Sequence, residues 1–188
     1  MKQRMSSENV PSADNQQERL LLSVDDLRWY ISGFVDGDGC FTVSIHKSKY
    51  LKLGWNINPL FQVYQHKDNS KILSVIKDEF GCGNISKKGG NPLCNVYCID
   101  KVHDLINIVI PYFEKYPLQS NKNNDFLIFK KIVIGVSKQL HLNPEGFIEL
   151  VKLAFKMNRN GKYRKNSLET IVSSIEESPE AKRQRYNV

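Results

Sequence analysis

A helical repeat that runs directly into two acids and then changes to a strand repeat constrains this chain more than any other feature. Val24, Leu27, Tyr30, Ile31 and Phe34 recur at three- and four-residue spacing, the signature of one buried helical face. Ser23 or Asp25 can cap that helix at its start. It ends at Gly37 and Gly39, and from Cys40 to His46 the period drops to two. Phe41, Val43 and Ile45 then share one face and Thr42, Ser44 and His46 the other, which reads as a half-buried strand.

The same arguments continue down the chain. A second strand is expected over Trp55 to Gln65, where Ile57, Phe61 and Val63 alternate with Asn56, Asn58 and Gln62. Pro59 within it removes a ladder donor and points to an edge or a bulge. Asp68 or Asn69 caps a second helix that stops at Gly81. Asn84 to Lys88 and Leu93 to Ile99 flank Gly89-Gly90-Asn91-Pro92, a hairpin pattern. Helices follow from about Val102 to Tyr112, from Asn124 to Gln139, near Pro144–Met157 and near Ser167–Glu177. The order of helix, two strands, helix, two strands and further helices belongs to the α+β class. Residues 1–19 are too polar to bury and read as a flexible extension. Residues 20–178 read as one domain, and 179–188 as a flexible basic tail.

Lys and Arg number 27 against 20 Asp and Glu, a formal charge of +7, which calls for a polyanionic partner such as nucleic acid or an acidic membrane. No apolar run approaches the roughly 18 residues of a membrane span, and the polar N-terminal stretch lacks the core of a secretory signal. The expectation is a soluble intracellular protein, in a bacterial cytoplasm or an organelle, with no membrane partner. Cys40, Cys82, Cys94 and Cys98 are too few and too uneven for a disulfide framework. Cys82, Cys94 and Cys98 lack zinc-ribbon or zinc-finger spacing, so core packing explains them better.

The segment Ile31-Ser32-Gly33-Phe34-Val35-Asp36-Gly37-Asp38-Gly39 carries the chemistry. Ser32, Gly33 and Gly37 are small enough to let another backbone approach the helix. Two acids at a helix C-terminus are opposed by the macrodipole and by each other. A hard divalent cation reverses that penalty, and carboxylates with a freed carbonyl are the oxygen ligands Mg²⁺ accepts. Asp-Gly-Asp-Gly is also ordinary turn chemistry; the apolar helix leading straight into it weighs against that reading.

This segment resembles the signature helix of the LAGLIDADG homing endonucleases. Phe61-Gln62-Val63-Tyr64-Gln65, Gly81-Cys82-Gly83-Asn84-Ile85 and Lys122 to Phe126 follow in the family's order. The resemblance runs from about Leu27 to Lys131, with an extension to about Glu177 similar to the single-motif, chloroplast-intron type. It implies an αββαββα core with a saddle-shaped antiparallel sheet. It also implies a homodimer, intron-encoded, that hydrolyses both strands of a long pseudo-palindromic DNA site with Mg²⁺, or Mn²⁺ in its place. By the same resemblance Asp38 and the Gly37 carbonyl hold the metal, with Asp36 a further candidate. Gln65 positions the attacking water, Lys122 or Lys115 stabilises charge at the phosphate, and Ser32, Gly33 and Gly37 lie at the dimer interface. Asn69 departs from the family, standing where the chloroplast-type enzymes carry a basic residue, and leaves the cleavage rate open. An RNA maturase or a non-cleaving DNA-binding regulator on the same fold are the alternatives.

The polar parity of the strands offers Thr42, Ser44, His46 and Ser48, then Asn56, Asn58 and Gln62, then Ser86 and Lys88 as readers of major-groove base edges. The solvated face of an antiparallel sheet has the same parity, and the resemblance decides for DNA. Between Leu150 and Leu168 stand Lys152, Lys156, Arg159, Lys162, Arg164 and Lys165 with no acid, a block suited to gripping phosphates. Lys162, Arg164 and Lys165 look similar to a backbone-contacting loop of the chloroplast-type enzymes.

Overall fold

The computed structural model describes residues 23–158 and 164–186. The extension expected over residues 1–19 and the predicted phosphate contact Lys162 lie outside them. Helix α1, Val24–Asp38, opens with a reciprocal cap, in which Ser23 Oγ accepts from Asp26 N and the Asp26 carboxylate accepts from Ser23 N. Two otherwise orphaned donors are satisfied in this way. The helix buries Ile31, Ser32 and Val35 and passes without a loop into strand β1, Gly39–Lys47. Only glycine allows that junction, because a Cβ at position 39 would lie 2.5 Å from Val35 Cγ1 and 2.7 Å from Val35 O.

Strand β2, Trp55–His66, returns antiparallel to β1, and helix α2, Lys71–Phe80, follows it. The α2 start differs from expectation: the cap is Ser70, behind a 3₁₀ turn at Lys67–Asn69, while Gly81 closes the helix at φ 65°. Strands β3, Asn84–Lys88, and β4, Asn91–Ile99, form the hairpin, and the antiparallel sheet has the order β1-β2-β4-β3. One face of this sheet is covered. Phe41, Phe61, Phe80, Phe113, Phe126 and Phe129 form an aromatic cluster between sheet and helices, all at most 3% exposed. The helices on that side are α3, Val102–Asp104, and α4, Ile110–Lys115, then α5, Lys122–Ser137, α6, Pro144–Phe155, and α7, Leu168–Glu176. Between α3 and α4 the chain makes a π turn at Leu105–Val109. Pro111 accounts for it, since proline supplies no N–H and its ring crowds the preceding turn, which a wider turn relieves. The segment expected to trail as a basic tail is helical instead: α8, Pro179–Tyr186, begins beside buried Ser178 and sets Ala181 at 5% exposure.

Pro59 is at no bulge, and it meets the edge expectation because β2 has no second neighbour there. It pairs with Val43 in unbroken register, in the half of β2 that lies beyond the last β4 pair, Phe61 with Ile99. Directly opposed residues alternate between bonded and non-bonded pairs, and a non-bonded pair with Val43 asks nothing of the missing N–H. That parity turns the carbonyls of Phe41 and Val43 toward the free edge of β1. Asn158 Nδ2 donates to Phe41 O at 2.9 Å, and Arg164 Nη1 donates to Val43 O at 2.8 Å. Arg164 Nη2 also reaches Ala154 O at 2.9 Å, and the guanidinium lies 5.0 Å from the Phe155 ring centroid. Burial lowers the pKa of this group from its ordinary value. Arg164, expected at DNA phosphates, thus ties down an open sheet edge with two of its nitrogens, and it also lines a groove along β1. Arg164→Met is expected to cost about 2 kcal/mol, or roughly 4–8 °C in Tm. An unchanged Tm together with weaker DNA binding would restore the phosphate role.

Candidate active site and nucleic-acid interface

Asp36 and Asp38 sit two residues apart on a helix, about 200° around its axis, so they cannot face the same partner. Asp36 lies one turn after Ser32, on the side turned toward its own domain. Its Oδ2 accepts from Gln119 N at 3.0 Å and Ser120 N at 2.9 Å, and Oδ1 accepts from Ser120 Oγ. A carboxylate with both oxygens so engaged anchors the segment before α5. Asp38 is exposed on the opposite side, and its Oδ2 accepts from Gln65 Nε2 at 2.9 Å. Among the described residues Asp38 Oδ1 has no partner. Gln65 is oriented in turn, because its Oε1 accepts from His66 N at 3.0 Å.

Lys122 completes this end of α1. Its Nζ donates to Val35 O at 2.9 Å, Gly37 O at 3.1 Å and Gly39 O at 2.6 Å, at the helix end where carbonyls run short of backbone donors, although Val35 O also accepts from Gly39 N. The ammonium opposes the negative end of the dipole, while burial lowers its pKa despite Asp36 and Asp38 nearby. The first residue of α5 is held in place by the same region, as Lys122 N donates to Ser120 Oγ at 3.1 Å. Asp36, Ser120 and Lys122 thus form a closed circuit that sequence reading did not anticipate; the four-residue spacing of Asp36 from Ser32 was the one local signal for it. Lys115 is elsewhere. It lies over the Tyr116 ring, whose hydroxyl donates to Asp25 Oδ1 at 2.7 Å, and Asp25 is about 20 Å from Asp38 along α1 at 1.5 Å per residue.

The expected helix interface divides in two. Ser32 is 2% exposed and its Oγ donates to Tyr116 O at 2.8 Å, so it packs α1 on its own domain. That corrects its assignment to a dimer contact: position 32 shares the buried stripe of Ile31 and Val35. Gly33 and Gly37 are exposed, and a Cβ at either would meet nothing within 4 Å. Trp29 at 47% and Tyr30 at 51% exposure flank the same outer surface.

On the uncovered sheet face, Ser44 stands beside Asn58 and His46 beside Asn56, with Asn56 Nδ2 3.4 Å from His46 Nε2. Lys165 joins this surface. Together with Thr42, Ser44, His46, Lys47 and Asn166 it lines a groove of about 560 Å³ along β1, and Lys47 and Asn166 were not singled out from sequence. Ser48 is half-buried in the β1–β2 turn, where its N–H donates to Gly54 O. Ser86 and Lys88 are exposed on β3. Gln62 is only partly free, since its Oε1 accepts from Tyr64 Oη at 2.9 Å. Cys40, Cys94 and Cys98 share this face by register rather than lying in the core, and Cys82 packs against the core. Among the described residues, no three His, Cys, Asp or Glu side chains are grouped to hold a metal ion, and no helix is long and apolar enough to cross a membrane.

Residues 31–133 match a family model described as LAGLIDADG endonuclease. Probable intron-encoded endonuclease 2 of Neurospora crassa is 34% identical over 145 residues, covering 76% of this chain and 32% of that protein. Homing endonuclease I-ApeII of Aeropyrum pernix is 29% identical over 154 residues, 79% of this chain and 90% of its own length. Among solved structures, the archaeal intron-encoded homing endonuclease I-Vdi141I complexed with DNA superposes with a TM-score of 0.76 at 32% identity, covering 82% of this chain and 97% of that one. This chain spans between 24% and 32% of the length of three relatives from Podospora anserina and Neurospora crassa.

Proposed function

The chain belongs to the LAGLIDADG endonuclease family, and from the geometry at the end of α1 we propose that it is a site-specific homing endonuclease acting on double-stranded DNA as a homodimer. The observation that carries this reading is the placement of Asp38. Its carboxylate is exposed at the foot of the helix, steadied through one oxygen by Gln65 and open at the other, beside the lysine that caps the same helix end.

One protomer offers a cation too few ligands, namely the Asp38 carboxylate and the remaining lone pair of the Gly37 carbonyl, which already accepts from Lys122 Nζ at 3.1 Å. A second copy packed across Gly33 and Gly37 would bring a second Asp38 alongside, and phosphate oxygens would supply the remaining ligands Mg²⁺ requires. A divalent ion held there supplies charge at the scissile phosphate and lowers the pKa of a water. The protein's own groups do the rest. Gln65 fixes the carboxylate and presents its amide to a water near the phosphate, while the Lys122 ammonium adds positive charge to the same corner. The outward sheet face and the groove along β1 provide amide, hydroxyl, imidazole and ammonium groups for base edges and phosphates.

Incubation of the protein with a randomised DNA library and Mg²⁺, followed by sequencing of the cut ends, tests this reading. Recovery of a palindrome-like consensus cut on both strands is the expected result; uncut DNA with Mg²⁺ or Mn²⁺ would overturn it. The pairing is tested separately by Gly33→Leu. A Cβ at position 33 meets nothing within 4 Å in the free protomer, the position is exposed, and helix propensity improves on losing glycine. Thermal stability of the protomer should therefore hold while sedimentation shows monomers and double-strand cutting disappears. A dimer that persists in this variant would place the interface elsewhere.

A further inference from the structure

The outward sheet face is divided along its length. Away from Asp38 it presents hydrogen-bonding side chains, Ser44 beside Asn58 and His46 beside Asn56. Toward Asp38 its character changes. Leu60 stands beside Thr42, Cys40 and Cys98 flank Gln62, Val96 stands beside Tyr64, and Cys94 beside His66. Two of the polar groups in this half are engaged with each other, Tyr64 Oη donating to Gln62 Oε1 at 2.9 Å, and the Lys88 ammonium rests over the Tyr64 ring, 4.6 Å from its centroid. A free cysteine thiol behaves as a small apolar group with only a weak S–H donor, and Cys40, Cys94 and Cys98 are all free. Leu60 and the three cysteines are each half-buried, and Val96 is 8% exposed.

This patch is continuous with the hydrogen-bonding half on the same strands, so one ligand surface must suit both. A DNA major groove does. Each base pair offers donors and acceptors there, and its one apolar feature is the thymine C5 methyl. We propose that Cys40, Leu60, Cys94 and Cys98 read the inner positions of each half-site through thymine methyl contacts, while Ser44, His46, Asn56 and Asn58 read the outer positions by hydrogen bonds. Inner positions are those nearest the cut, because the patch adjoins Asp38. The inference rests on the DNA-cleavage reading above and adds to it which base feature each half of the sheet recognises.

The test begins with selection of bound duplexes from a randomised pool without added metal. In the consensus duplex, thymines of the inner positions are then replaced by uracil, which removes the methyl and keeps the pairing. Binding should weaken about fourfold for each contacted methyl, while the same replacement at outer positions should have no effect. Leu60→Asn, a surface substitution of similar size, should abolish the uracil effect at one inner position and shift its preference toward adenine. If inner uracil duplexes bind as well as thymine duplexes, the inference fails and the DNA reading stands. If the chain selects no sequence at all, the DNA reading fails and this inference falls with it.

Discussion

Asp38→Asn should lower strand cleavage by on the order of a thousandfold, about 4 kcal/mol of transition-state stabilisation, while leaving affinity for the consensus duplex within roughly threefold. The amide keeps the size of the carboxylate and can still meet Gln65, whose own amide can present either end. Nothing in the core depends on Asp38, which is exposed. What the variant loses is the charge that would hold a divalent ion between protomers, and in a homodimer both sites lose it together. Single-turnover cleavage and equilibrium binding on the same duplex separate the two effects. Asp36→Asn should behave differently. Asp36 accepts from Gln119 N, Ser120 N and Ser120 Oγ, so its neutralisation loosens the segment that leads to Lys122 and should show first as lost stability.

Lys122→Met is the second large effect, and it has two parts. Gly37 O and Gly39 O lose the Lys122 donor and Val35 O keeps only Gly39 N, which should cost about 2 kcal/mol of stability as acceptors go unpaired. The positive charge proposed to act on the phosphate is lost as well, and cleavage at a temperature where the variant is folded should fall about a hundredfold. Lys122→Arg should recover little of either, because a planar guanidinium does not converge on three carbonyls as an ammonium does. Lys115→Met should change neither quantity, since its side chain lies at the far end of α1 over Tyr116. Equal effects from the two lysines would contradict the placement of the site.

Much of the fold could be read because its signals are local. The Ser23 cap, the alternation of Phe41 and Val43 with Thr42 and Ser44, the Gly81 stop and the Gly89-Gly90 turn each depend on a few neighbouring residues. Features set by distant partners could not be read in the same way. Arg164 meets Val43 across 121 positions, so a basic cluster in sequence looked like a phosphate grip when one member was covering a sheet edge. The π turn before Pro111 was hidden because an apolar helical repeat does not distinguish a four-residue from a five-residue bond.

The site divides in the same way. Asp38, Gln65 and Lys122 come from three separate elements, and only the resemblance to a known family joined them before the structure placed Gln65 Nε2 at 2.9 Å from Asp38 and Lys122 at the Gly37 carbonyl. Ser32 and Asp36 were misread or left open although the sequence held the answer. Ser32 is buried with Ile31 and Val35, and Asp36 follows Ser32 by one helical turn. The Tyr64 bond to Gln62 lies on one strand face at two-residue spacing; periodicity shows that such residues are neighbours but not that they bond.

Manganese makes the metal position directly visible. Crystals of the protein with its consensus duplex, soaked in Mn²⁺ and measured at the manganese edge, should show anomalous density about 2.1 Å from an Asp38 oxygen, with the symmetry-related Asp38 and a scissile phosphate converging on the same region. Density confined to other acids, or an Asp38 facing bulk water far from its mate and from the DNA backbone, would contradict the account.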